Sequence, residues 1–187
     1  ILMATSIAFF LFAILWTWTL AGTLEFAPGG ILAGAASPLA LSGLLALYVF
    51  GIAKAGLMPF HRWLPSAMVA PTPVSALLHA VAVVKAGVFA VLKIMIFVFG
   101  IDVLGEIGGS RFFLYLAAVT VIAAGIIALR QDNLKRRLAY STISQLGLIV
   151  LAAMTANALG VVGGAMHIAT HAFAKITLFF AAGAIYV

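Results

Sequence analysis

Six apolar runs of about twenty residues or more alternate along the chain with short segments richer in Gly, Pro and charge. The first run covers residues 1–21, and Gly22, Pro28, Gly29 and Gly30 mark the loop after it. Ser37 followed by Pro38 has the form of an N-cap and a first-turn proline, which predicts a helix over 38–57. Pro59 should end or kink that helix, leaving it broken around residues 54–59. Residues 60–72, with Pro65 and Pro71, read as irregular chain or a short helix. Further helices are predicted over 73–99, 111–129, 138–156 and 161–187, divided by a turn at 101–110 and a charged link at 130–137. A helical membrane crossing needs about 20 apolar residues. The pattern therefore predicts an all-α, polytopic transmembrane bundle of about six helices, forming one integral membrane region over 1–187. No basic segment precedes the first run, so it does not read as a signal peptide. Both ends are apolar, and the chain reads as an internal piece of a longer membrane protein.

Composition sharpens this picture: 66% of residues are hydrophobic and only 7% are charged. A net charge of +6 would ordinarily raise the question of nucleic acid. Here the basic residues lie inside apolar runs or in short links, so no nucleic-acid partner is expected. With no cysteine, thiolate metal sites, iron–sulfur ligation and disulfides are excluded. If the helices alternate in direction, Arg62, Arg130, Lys135, Arg136 and Arg137 share one side, and the opposite loops hold only Arg111. The positive-inside rule then makes 60–72 and 130–137 cytoplasmic, in a bacterial or archaeal inner membrane, with Trp63 as an interfacial anchor or a packing residue.

The few ionisable groups inside apolar runs are the candidates for chemistry. A cation at the centre of a membrane helix costs roughly 2.5–3.5 kcal/mol on insertion scales. His167, His171 and Lys175 stand at i, i+4 and i+8, on one helix face and over about 12 Å of its length. Two imidazoles and an amine in line suit a proton relay, because histidine exchanges protons near neutral pH. Lys85 lies too deep in its run to snorkel to the surface. Lys54 stands at the helix break, where it could neutralise the helix end or titrate. His79 is a further candidate, about 240° around the helix from Lys85 and so on another face. Glu25, Asp102, Glu106 and Asp132 all fall in predicted loops, so an acid partner for any of these lysines is expected outside this sequence. Without a buried acid or cysteine, a metal site is not expected, and nothing indicates a bound cofactor. Ser141, Thr142, Ser144 and Gln145 read as caps and interhelical hydrogen-bonding groups, or as the lining of a wet path.

The segments KAGLMPFHRWLP at 54–65, APTPVSALLH at 70–79, VKAGV at 84–88, DNLKRRLAYSTISQLG at 132–147 and HIATHAFAK at 167–175 carry a family resemblance. They resemble the antiporter-like membrane subunits of respiratory complex I, of Mrp-type cation/proton antiporters and of energy-converting hydrogenases. The resemblance implies a parent of fourteen helices with two inverted repeats, each holding a broken helix. It implies that Lys54 is the lysine of the first broken helix and Lys85 a bridging lysine. His167, His171 and Lys175 would form the central polar axis, and the acidic partner of Lys54 would lie in an earlier helix. The implied activity is proton translocation within an NADH:quinone oxidoreductase-like assembly of membrane subunits, with no redox chemistry in this chain. An Mrp-type Na+(K+)/H+ antiporter or hydrogenase membrane arm is the alternative, and a non-transporting structural role is a third.

Overall fold

A computed structural model describes residues 2–80 and 82–185 of the chain. Every regular element in them is helical. The outermost positions of the first and last predicted helices, residues 1 and 186–187, lie outside the described residues. The elements are α1 (Leu2–Ala21), α2 (Pro38–Gly51), α3 (Trp63–Ser66), α4 (Thr72–Ala80), α5 (Val83–Ile94), α6 (Ile101–Glu106), α7 (Gly108–Leu129), α8 (Leu134–Met154) and α9 (Ala158–Ile185). Short 3-10 turns at Ala53–Ala55 and Ala67–Val69, and a π turn at Met95–Phe99, complete them. Among the described residues, five helical stretches are long and apolar enough to cross a membrane: Ala4–Ala21, Thr72–Phe99, Gly108–Leu129, Leu134–Met154 and Ala158–Ile185. α2 is a shorter apolar helix beside them. Its start follows the sequence pattern, with Ser37 Oγ accepting from Ala40 N and Pro38 in the first turn.

α2 stops at Gly51, six residues short of the predicted end. Its last residue sits at a close crossing with α1. A Cβ on Gly51 would stand 2.7 Å from the Phe10 backbone nitrogen, so only glycine fits there. Fourteen residues reach about 21 Å, less than the roughly 30 Å of bilayer hydrocarbon. The backbone past the break must therefore find partners inside the protein. Ser6 Oγ donates to Gly51 O (2.5 Å) and accepts from Ala53 N (3.3 Å). Trp63 Nε1 donates to Ala53 O at 3.0 Å, and Met58 N donates to Thr120 Oγ1 at 3.3 Å. Gly56, at φ 72°, turns the chain out of the 3-10 segment. Trp63 thus serves the break as a hydrogen-bond donor.

The run predicted as one helix over 73–99 is described as two, α4 ending at Ala80 and α5 beginning at Val83. Ala82 N donates to Leu77 O at 3.0 Å, five residues back, so one carbonyl register is skipped. At the far end the helix stops at Gly100, which leaves the Phe97 and Val98 carbonyls among its last, unpaired acceptors. The loop after α1 takes them up: Ala27 N donates to Phe97 O (3.4 Å), and Ile31 N and Leu32 N to Val98 O (2.9 and 3.2 Å). Residues 101–106, expected as turn, form the short helix α6.

α7 packs along α8, α8 along α9, α4 on α9 and α1 on α2, while α5 reaches the 3-10 turn, α8 and α9. The main core includes Leu44, Leu45, Val84, Val88, Phe99, Phe113, Ile143 and Leu146. Gly87 lets α5 touch the broken helix. A Cβ there would stand 2.5 Å from the Lys54 carbonyl carbon and 2.6 Å from Ala55 N, neither of which can move aside. Gly87→Ala should destabilise the full-length protein by about 1–3 kcal/mol. Gly163→Ala, where a Cβ meets nothing, should shift stability by less than about 1 kcal/mol. Equilibrium unfolding in mixed micelles measures both, and equal effects would contradict this packing.

Candidate functional site

The face of α9 inferred from i, i+4 and i+8 spacing is its buried face. Gly164, His171, Lys175, Phe179 and Ala182 are buried along it, while Met166 and Phe173 point outward. His167, half-buried, opens this line, and its ring stacks on that of His171 with centroids 5.8 Å apart and planes 16° apart.

Two other helices complete the cluster. Lys85, on α5, is 6% exposed, and its Nζ is in hydrogen-bonding contact with His171 Nδ1. If the amine is charged it donates, which leaves the imidazole proton on Nε2, a buried atom without a partner among the described residues. From α8, Gln145 Oε1 accepts from His167 Nε2 at 2.8 Å. Ser141 Oγ and Leu138 O accept from Lys175 Nζ at 2.8 and 3.3 Å. The three ionisable groups of α9 are thus each held by a different polar group. Sequence spacing could not assign Gln145 and Ser141 their roles, although both stand at the polar opening of α8.

His79 lies on α4, fully buried, with its ring 5.1 Å from that of Phe179. Neither ring nitrogen has a partner among the described residues. The skipped register at Ala82 separates it from α5, so the angle reckoned along one continuous helix does not apply. His79 faces α9 through Phe179, one turn beyond Lys175.

Lys54 stands apart from this group. It is exposed in the 3-10 turn, beside a cavity of about 330 Å³ lined by Ser6, Phe10, Gly51, Ala86 and Gly87. Gly87 is two residues, about 200°, past Lys85 on α5, so the two lysines occupy opposite sides of that helix. The structure therefore brings together Lys85, His167, His171 and Lys175, with His79 adjoining, and leaves Lys54 at an open face. Among the described residues no carboxylate hydrogen-bonds to any of these groups.

His61, in the link after the break, was not singled out by sequence. Its ring lies 6.4 Å from that of Tyr140, and Nδ1 is buried without a partner. Burial lowers its pKa, with the Arg62 charge adding to this and the Pro59 backbone opposing it. The folded state thus favours neutral His61.

The family model described as "NADH:quinone oxidoreductase/Mrp antiporter, TM" matches residues 1–187. NADH-quinone oxidoreductase subunit L of Campylobacter jejuni is 40% identical over 175 residues, 92% of this chain and 28% of that protein. A component of a probable K(+)/H(+) antiporter of Rhizobium meliloti is 42% identical over 149 residues, 79% of this chain and 14% of that protein. The structure of an Mrp complex from a Dietzia species superposes with a TM-score of 0.82 at 31% identity, covering 95% of this chain and 19% of that one. The chain thus spans less than a third of the length of these relatives.

Two outcomes follow from the site. Gln145→Leu should remove the acceptor of His167 Nε2–H and raise the Nδ1–H fraction of that ring, read from ¹⁵N shifts of labelled histidine. An unchanged tautomer would show that Gln145 does not set it. For His61 the folded pKa lies below the unfolded value of about 6.5, so the unfolded chain takes up the proton first. Stability is fully present above that value and lost as pH falls below it. Between pH values of about 8 and 5, His61→Gln should lose less thermal stability than the wild type.

Proposed function

The chain belongs to the NADH:quinone oxidoreductase/Mrp antiporter membrane family, and from that membership we propose that it moves protons across the membrane within an antiporter-like subunit of a redox-driven, NADH:quinone oxidoreductase-like complex. The observation that carries this reading is the buried contact between Lys85 on α5 and His171 on α9. It joins two membrane helices through groups that both gain and lose protons, with no carboxylate among the described residues to lock either in one state.

In this mechanism Lys54 receives a proton from the cytoplasmic side, at the open face beside its cavity. The proton reaches Lys85 across α5 and passes to His171. The stacked His167 and the amine of Lys175 extend the route along α9 in both directions. The orphaned nitrogens of His79 and His171 are sites where a water or a second conformer would carry the proton further. An acid facing Lys54 would come from a neighbouring helix outside this sequence, and its approach or withdrawal would change the affinity of the amine for a proton. The driving signal comes from partner membrane subunits. No flavin, haem or cluster is assigned to this chain, and any oxidoreductase activity belongs to the assembly. The single membrane region divides at the 54–59 break, and the basic links face the cytoplasm of a bacterial or archaeal cell.

The K(+)/H(+) antiporter relative and the Mrp structural likeness support a second reading, in which the same residues exchange protons for Na+ or K+ without a redox partner. The two readings differ in what drives the relay, not in which residues form it.

Lys85→Met in the full-length protein, assembled and reconstituted in vesicles, should lower proton translocation about a hundredfold while leaving assembly intact. A dye sensitive to internal pH reports the flux, and native gels report assembly. A purely structural role would show unchanged transport with neutral or raised stability, and that result would remove the relay.

A further inference from the structure

One cavity lies away from the relay, at the end of the bundle. It has a volume of about 530 Å³ and opens between the short helical segment at 63–69 and the first turn of α8. One wall is basic, formed by Lys135 and Arg136 beside Asn133, and the other is mainly apolar, formed by Pro65, Met68 and Val69 with Ser66. Val69 is 95% exposed although it is a branched aliphatic residue.

The two basic side chains are uncommitted. Arg137 next to them donates from Nε and Nη2 to Gln131 O at 3.0 and 2.8 Å. By contrast, neither Lys135 nor Arg136 has a side-chain hydrogen bond or ion pair among the described residues, and Asp132 pairs with neither. Their depth is fixed by the helix they begin. α8 has 21 residues, or about 32 Å, close to the hydrocarbon thickness of roughly 30 Å, so its first turn sits at the hydrocarbon edge.

We infer that this cavity seats the phosphodiester headgroup of an anionic membrane lipid, with the phosphate between Lys135 and Arg136 and the upper acyl chain along Val69 and Pro65. A free phosphate ion would satisfy the basic wall but leave the apolar wall in water. A zwitterionic lipid would cover the apolar wall but bring its own cation against two others. An anionic lipid meets both walls at the depth where they lie. Because the inference rests on cavity, charge and depth, it stands whether or not the relay operates.

Retention of phosphatidylglycerol by the full-length protein in detergent at high salt, where exposed charges are screened, tests it by native mass spectrometry. Lys135→Gln with Arg136→Gln should lower retention about thirtyfold. Arg130→Gln with Arg137→Gln makes the same charge change in the same link and should lower it by less than about threefold. Val69→Asp, at a position exposed enough to leave the fold intact, should also release the lipid. Equal losses in the two double variants would overturn the site in favour of diffuse attraction. Retention of phosphatidylcholine equal to phosphatidylglycerol, or full displacement by inorganic phosphate, would overturn the lipid assignment.

Discussion

An amine taken out of water must share its charge with something, and in this bundle the partner of Lys85 is the imidazole of His171. A carboxylate in that place would fix the lysine as an ammonium ion. An imidazole leaves the proton's position open, because either nitrogen base can hold it. Much of the surrounding architecture serves that contact. α8 supplies neutral acceptors, the Gln145 side chain, the Ser141 hydroxyl and the Leu138 carbonyl, so that His167 and Lys175 are oriented without added charge. Of the four ionisable groups packed between these helices, Lys85 and His171 hold each other, and His167 and Lys175 have an amide, a hydroxyl and a carbonyl as partners. Such a site can change its proton content without first breaking an ion pair.

The sequence made the larger features legible because each has a short-range physical signature. Apolar runs reveal membrane helices by length, Ser37 and Pro38 reveal the start of α2, and spacing by fours reveals the buried face of α9. The break near residues 54–59 follows from Gly56 and Pro59. What escaped depends on contacts between residues distant in the chain. Phe10 of α1 crosses α2 at Gly51, and no local signal marks that crossing. Ser6 and Thr120 cap the broken backbone from 47 and 62 positions away. The parting of α4 from α5 changes the relation of His79 to Lys85, and a helical wheel drawn through residues 79–85 cannot anticipate it.

Lys54 shows the same limit from the other side. Its residue type and place are read easily, yet the structure puts it at an open face across α5 from the other groups. A glycine at position 87 is what brings the two backbones close enough for the lysine-bearing turn to rest on α5. The relatives that the chain matches are far longer than the chain itself.

The π turn at the end of α5 has a mechanical meaning. The Phe97 and Val98 carbonyls are gripped by the Ala27, Ile31 and Leu32 amides, so this end of the helix is pinned to the loop that follows α1. The opposite end follows the skipped register at Ala82, whose N donates to Leu77 O rather than to the next carbonyl along. Lys85, three residues further on, is thus mounted on a helix anchored to the α1 loop at its far end and joined to α4 through an irregular hydrogen-bond register at its near end.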